Sequence, residues 1–294
     1  MTASDPRPAV TPADLRPAAA PADLRPAAAP VDPRPAAAPA DPHPVRAVLF
    51  DLDDTLLDTA AAFAAAVAAV AAQFLPHLEP ARYPEVLATW RADTGGHYQA
   101  HVDGLVDYRT QRFARAQQIQ DEFGGTALDN AGYERWAQVW DATFSTSWVA
   151  FDDAAAILAE LRSAGLAVGC VTNASTAQQS AKLAAVGLID AVPLLVTLDT
   201  FGVGKPDPRV FHEGARLLGV DPGQVLYVGD EPLIDARGAT AAGLRGVWLD
   251  RPGRRRGTPG EDPDALAADG IGVIQGLADV LDLVPGAANA PSRS

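Results

Sequence analysis

Short apolar runs near residues 46–51, 166–172, 193–197, 225–229 and 245–249 are rich in valine and leucine and bounded by polar or glycine-containing segments, the pattern of strands buried on both faces. A sixth, shorter run covers Ile271 to Ile274. Helical periodicity separates them, as in Arg209 to Leu218. Strands alternating with helical crossovers predict an α/β fold: a Rossmann-like parallel sheet covered by helices on both faces. Such a sheet holds its ligand beyond the carboxyl ends of its strands.

The pattern changes between residues 58 and 150, where helical periods follow one another with no strand between them. Ala60 to Leu75 carries Phe63, Val67, Val70 and Phe74 at helical spacing, an inward-facing stripe. A second helical region starts at about Pro84 and stops at Gly95-Gly96; another carries Tyr108, Arg109, Arg112 and Arg115 up to Gly124-Gly125; a last one surrounds Tyr133 to Trp140. An all-helical domain over 58–150 is thus inserted into a core made of 45–57 and 151–284.

The strands predicted for the core each deliver polar groups where they end. Val45 to Leu57 reads VRAVLFDLDDTLL, with Asp51 and Asp53 two positions apart and Thr55 following. Residues i and i+2 of a strand point the same way, so two carboxylates converge on one small volume. They repel unless a cation lies between them, and a hard divalent ion with oxygen ligands, Mg2+, suits that role while leaving one carboxylate oxygen free to attack an electrophile. The run 166–172 ends on Thr172 and Asn173, with Ser175 placed to cap a helix, an arrangement that binds anions. Lys205 lies in the loop GVGKPDP before the next helix, and the run from Val225 meets Gly229-Asp230, with Glu231 and, five residues after Asp230, Asp235.

Taken together, Asp51-Leu52-Asp53-Asp54-Thr55, Thr172, Lys205-Pro206 and Gly229-Asp230 with Asp235 resemble the four ordered motifs of the haloacid dehalogenase-like superfamily, in the subfamily with a helical cap after the first motif. The resemblance spans about Val45 to Val284. It implies that Asp51 is the nucleophile forming an aspartyl-phosphate, and that Asp53 protonates the leaving alcohol and later activates water. It implies Mg2+ bound by the Asp51 carboxylate, the Asp53 backbone carbonyl and Asp230, with Asp235 and Glu231 supporting the metal. Thr172, Asn173 and Lys205 would hold the phosphoryl group. Dehalogenases and phosphonatases of this superfamily lack an acid at the position of Asp53, so Asp53 favours phosphate esters. The expected function is a Mg2+-dependent phosphatase of small phosphorylated metabolites. A phosphomutase on the same scaffold, or a non-catalytic scaffold acting through the N-terminal arm, stays open at this point, as do the substrate and the oligomeric state.

Composition adjusts this picture in four ways. The net charge of −14 argues against nucleic acid or an anionic membrane as the partner. The one cysteine, Cys170, lies in a buried-strand pattern and cannot form an internal disulfide, consistent with a cytoplasmic location. Against 21 arginines the chain has only two lysines, Lys182 and Lys205, so lysine at the motif position is not filler; a compact ammonium suits a point contact better than a planar guanidinium. Residues 1–44 repeat a nine-residue unit such as ADLRPAAAP and contain no aromatic residue or apolar signal-like run, the composition of a disordered Pro/Ala-rich tail; 285–294 reads as a second loose tail.

Three polar features of the insert and core loops read as ordinary surface. Arg109, Arg112 and Arg115 are expected to form a solvated face paired with Asp107 and Asp121. His97 and His101 have zinc-like spacing but lack the companion glutamate of a zinc helix. Arg254 to Arg256 read as a solvated charge run.

Overall fold

The computed structural model describes residues 44–255 and 260–284. Both predicted tails, 1–44 up to its last residue and 285–294, lie outside the described residues, as does Arg256. Six strands, β1 (Ala47–Phe50), β2 (Ala167–Val171), β3 (Leu195–Val196), β4 (Val225–Gly229), β5 (Arg245–Leu249) and β6 (Gly272–Ile274), form one sheet in the order β3-β2-β1-β4-β5-β6, every pair parallel. Each predicted strand is present, within two residues at either end.

Eleven α-helices stand among the described residues: α1 (Thr59–Phe74), α2 (Tyr83–Ala92), α3 (His97–Val102), α4 (Tyr108–Glu122), α5 (Asn130–Ser145), α6 (Ala154–Ser163), α7 (Thr176–Ala185), α8 (Leu198–Phe201), α9 (Pro208–Leu218), α10 (Gly238–Ala241) and α11 (Pro263–Ala268). Alternation along the strands divides the core in two. Val48, Phe50, Val168, Cys170, Leu226 and Val228 point to one face and pack with α6 and α7, whereas Ala47, Leu49, Val171, Val225 and Tyr227 point to the other and pack with α9 and α10. Both sheet faces are therefore covered, which is why the strand sequences are apolar throughout rather than alternating.

Helices α1, α2, α4 and α5 of the cap pack around a separate apolar cluster that includes Val67, Val70, Trp90, Trp136, Trp140 and Phe144. Trp136 and Trp140 stack with their ring centroids 5.1 Å apart, and Trp90 packs on Trp140 at 4.4 Å. Two linkers join cap to core. They pair as an antiparallel bridge between Leu57 and Ala150, reinforced by Asp58 N donating to Val149 O and Phe151 N to Leu56 O. No helix among the described residues is long and apolar enough to cross a membrane.

Of the three α4 arginines expected to form a solvated face, Arg109 stays exposed, whereas Arg112 and Arg115 do not. Arg109 pairs with Glu134, Arg112 is buried and pairs with Asp141, and Arg115 lies over the Trp90 ring, 3.9 Å from its centroid, donating to the Trp90 carbonyl. Asp107 instead caps α4 by accepting from Thr110 N, and Asp121 accepts from Gln117. The cap core is aromatic, and a guanidinium lies flat on an aromatic ring at little cost, so Arg112 and Arg115 pack inward.

Candidate active site

The carboxyl ends of β1, β2 and β4 bring the sequence-identified residues together, and Lys205 is the hub. Its ammonium is 3% exposed and lies 2.7 Å from both Asp51 Oδ1 and Asp235 Oδ1, and it donates to the Tyr227 hydroxyl at 3.0 Å. Burial alone would depress this lysine; the carboxylates of Asp235 and Asp51 outweigh it and hold the ammonium well above the usual lysine range. Asp51 sits on the opposite side of the same balance. Burial pushes its carboxyl up to about 7, with Asp235 and Asp53 adding to the rise and Lys205 opposing it.

Oxygens of Asp51, Asp230 and Asp235 lie within 4.8 Å of one another. Asp235 is already engaged by Lys205, by Tyr227 and by the Glu231 backbone N–H at 3.0 Å. It therefore braces the cluster from within the protein, beside Asp51 and Asp230. A set of hard oxygen donors holding more negative charge than one ammonium can neutralise fits Mg2+. The Asp53 carbonyl expected as a further ligand follows Asp51 by two residues. Among the described residues no other group of three such side chains has this spacing, and His101 instead meets the Val106 carbonyl and the Tyr108 ring.

Local geometry explains why these residues meet. Asp54 turns the chain sharply after β1, with φ 59°, and its Oδ1 accepts from Thr59 N, Thr59 Oγ1 and Ala60 N, capping α1 from five residues upstream. Gly229 ends β4 where Asp235 folds back over it: a Cβ built there would lie 2.3 Å from Asp235 Cγ. Gly229→Ala is accordingly expected to displace Asp235, loosen Lys205 and raise the Mg2+ needed for half-saturation about tenfold or more, as loss of a supporting ligand does; isothermal titration with Mg2+ checks it, and unchanged affinity would refute the role given to this close approach.

The Asn173 side chain is bonded to the lysine loop: its Oδ1 accepts from Lys205 N at 2.6 Å and its Nδ2 donates to Lys205 O at 2.8 Å. Thr172 is buried at the end of β2 as expected, and Ser175 caps α7 by accepting from Gln178 N. The cap closes directly on these loops. The Tyr98 hydroxyl on α3 donates to the Asn173 carbonyl at 2.8 Å, and Gly204 N donates to Val102 O at 3.0 Å.

Three residues were not found by sequence reasoning. Lys182 and Gln179, both on α7, reach the Asp53 carboxylate, and Tyr227 joins Lys205 to Asp235 from the middle of a strand. The rarity of lysine marked Lys182 as well as Lys205; the other two carried no local signal.

A cavity of about 240 Å³ opens beside Asp54 and Asp230, lined also by Arg91, Phe151, Trp248 and Arg251. Its basic side chains face carboxylates: Arg91 lies 3.6 Å from Asp54, and Arg251 pairs with Asp153. The Arg254 and Arg255 guanidiniums, also on this rim, pair with Asp58 and Asp250, and the Arg254–Asp58 pair ties the loop after β5 to the cap linker. The cavity is balanced in charge and is not itself an anion trap.

Comparison with known proteins agrees with this geometry. The haloacid dehalogenase-like hydrolase family profile matches residues 45–243. A phosphoserine phosphatase from Thermus thermophilus is 32% identical over 249 residues, 76% of this chain and 96% of that protein. The N-acylneuraminate-9-phosphatase of Mus musculus is 30% identical over 71% of this chain and 84% of its own. The Bacillus subtilis protein YfnB, whose crystal structure contains magnesium, shares the fold at a TM-score of 0.65 and 21% identity, covering 82% of this chain and 99% of that one. With four motifs converging on one cluster and a helical cap inserted after the first, this chain belongs to the haloacid dehalogenase-like hydrolases.

Proposed function

We propose that the protein is a Mg2+-dependent phosphatase that hydrolyses small phosphate monoesters through an aspartyl-phosphate on Asp51. The observation that carries this reading is a pair of carboxylates two residues apart in unlike surroundings: Asp51, buried and paired with Lys205, and Asp53, whose side chain is 29% exposed. A buried carboxylate beside a fixed cation suits attack on phosphorus, and an accessible one suits proton exchange with a leaving group.

In the first half-reaction an Asp51 oxygen bonds to phosphorus as the ester P–O bond breaks. The electron pair of that bond goes to the leaving oxygen, which takes a proton from Asp53. In the second, water attacks the phosphorus of the aspartyl-phosphate, Asp53 takes a proton from it, and the bond to Asp51 breaks to release phosphate. Thr172 and Lys205 hold phosphoryl oxygens during both steps, a contribution that is largely electrostatic. Mg2+, held by Asp51, the Asp53 carbonyl and Asp230, would neutralise phosphoryl charge when bound. The phosphatase names of the relatives, and an acid at position 53 where the superfamily's dehalogenases have none, support phosphate esters over halogenated acids.

Release of p-nitrophenolate from p-nitrophenyl phosphate in Mg2+, abolished by EDTA and restored by added Mg2+, tests the reading; no hydrolysis of any ester under these conditions would overturn it. A panel containing phosphoserine, glyceraldehyde 3-phosphate and an N-acylneuraminate 9-phosphate then ranks substrates. Asp230→Ala is expected to raise the Mg2+ concentration giving half the maximal rate by about 10- to 100-fold. Unaltered Mg2+ dependence in that variant would remove Asp230 from the metal site.

A further inference from the structure

Asp53 is held by two side chains of α7. Lys182 Nζ lies 2.5 Å from Asp53 Oδ1, and Gln179 Nε2 donates to Asp53 Oδ2 at 2.9 Å. The two residues stand three apart on one helix face, so both point to the same carboxylate. Gln179 Nε2 also lies 2.7 Å from Thr172 Oγ1, which links Asp53 to the hydroxyl at the end of β2. The Lys182 ammonium, 2% exposed, has a cap residue on its other side, the Phe144 ring with its centroid 5.5 Å away.

This arrangement is costly to maintain without a task. The Lys182 ammonium is taken almost wholly out of water, and an ion pair that requires such desolvation gains little stability over apolar packing. Gln179 Oε1 is buried with no hydrogen-bond partner among the described residues, a further cost for a polar atom so placed. Both donors are buried while the carboxylate they hold is 29% exposed, so they grip Asp53 from behind and leave an edge accessible. Lysine is also rare in this chain: its two lysines are the one at Asp51 and the one at Asp53.

We propose that Lys182, with Gln179 beside it, is a positioning residue that fixes the Asp53 carboxyl group in the orientation from which it exchanges a proton with the leaving oxygen. The inference rests on the phosphatase reading given above. A carboxyl group free to rotate about χ1 and χ2 spends only part of its time aligned with that oxygen, and small misplacements of a catalytic group lower rates steeply. Neither Lys182 nor Gln179 touches substrate in this role. Their effect passes through Asp53.

Lys182→Met tests the proposal, since methionine fills a similar volume without the charge and the partly exposed Asp53 keeps access to water. The melting temperature is expected to stay within a few degrees of wild type. For alkyl phosphates, whose leaving group needs a proton, kcat should fall about 10- to 100-fold, within the ~10² to 10⁴ that general acid–base catalysis contributes. For p-nitrophenyl phosphate, whose leaving group needs none, the first half-reaction, followed as the p-nitrophenolate burst, should be nearly unchanged. KM and the Mg2+ requirement should change little. Gln179→Met should show the same leaving-group selectivity at smaller amplitude, and it serves in place of the lysine variant if that one does not fold.

Equal losses in the bond-breaking step for aryl and alkyl esters, or no loss for either, would overturn the positioning role. So would a raised KM with kcat intact, which would make Lys182 a substrate-binding residue instead. Each of these outcomes presupposes an active wild type. An inactive wild type would reject the phosphatase reading itself and is thereby distinguished from failure of this inference.

Discussion

Asp51→Asn is expected to reduce turnover to background and to eliminate the phosphoenzyme. The amide keeps the shape of the side chain but offers no carboxylate oxygen to attack phosphorus, and it withdraws one charged ligand from the cluster with Asp230 and Asp235. Acid quench with a 32P-labelled substrate should recover label on wild-type protein and none on the variant; Asp53→Asn, which keeps the nucleophile, should still trap it. Label on the Asp51 variant would refute the mechanism.

The same substitution has a separate signature in stability. Burial raises the Asp51 carboxyl from its ordinary value of 3.8 to about 7, so the folded state favours the protonated form. A raised carboxyl pKa contributes stability below the unfolded value and loses it as pH climbs to the folded one. Without divalent cation, wild type should therefore lose ground to Asp51→Asn between about pH 4 and pH 7, and Mg2+ should restore it. Thermal melts of the two proteins across that range, with and without Mg2+, measure the effect. A difference in melting temperature that does not vary with pH would mean that Asp51 is not strained by its burial.

Lys205→Met should be the most damaging single change to the fold and the site together. The ammonium is the shared partner of Asp51 and Asp235, both buried, and the Tyr227 hydroxyl depends on it as well. Removing one member of a buried ionic cluster leaves charges without compensation and costs about 3–5 kcal/mol. Activity should be lost, and the melting temperature should fall by many degrees, then recover in part with Mg2+, because a cation bound to the folded state stabilises it by mass action. Lys205→Arg should not rescue turnover, since a planar guanidinium does not fit between two carboxylates each 2.7 Å from one ammonium nitrogen. Wild-type stability in Lys205→Met would show that the pairs at this hub contribute nothing to the fold.

What the sequence determined by itself is what depends on short-range periodicity. Apolar runs broken by helical stretches located the strands to within two residues, and a parallel sheet necessarily gathers the residues that end them, so Asp51, Asp53, Thr172 and Asp230 were legible together. The insert was legible as helices for the same reason. Tertiary structure alone decided which helix faces turn inward. Arg112 and Arg115 looked like solvated charges because charge predicts exposure only until an aromatic core offers a flat surface to a guanidinium. Asn173 was legible as a candidate ligand-binding amide, and only the approach of a loop 32 residues away shows that it is bonded to the Lys205 backbone. Lys182 and Gln179 lie 129 and 126 residues from Asp53, on a helix whose local pattern suits a surface, and Tyr227 sits within an apolar strand. A side chain's partner across such separations is fixed by how helices pack on the sheet, and that packing has no counterpart in local periodicity.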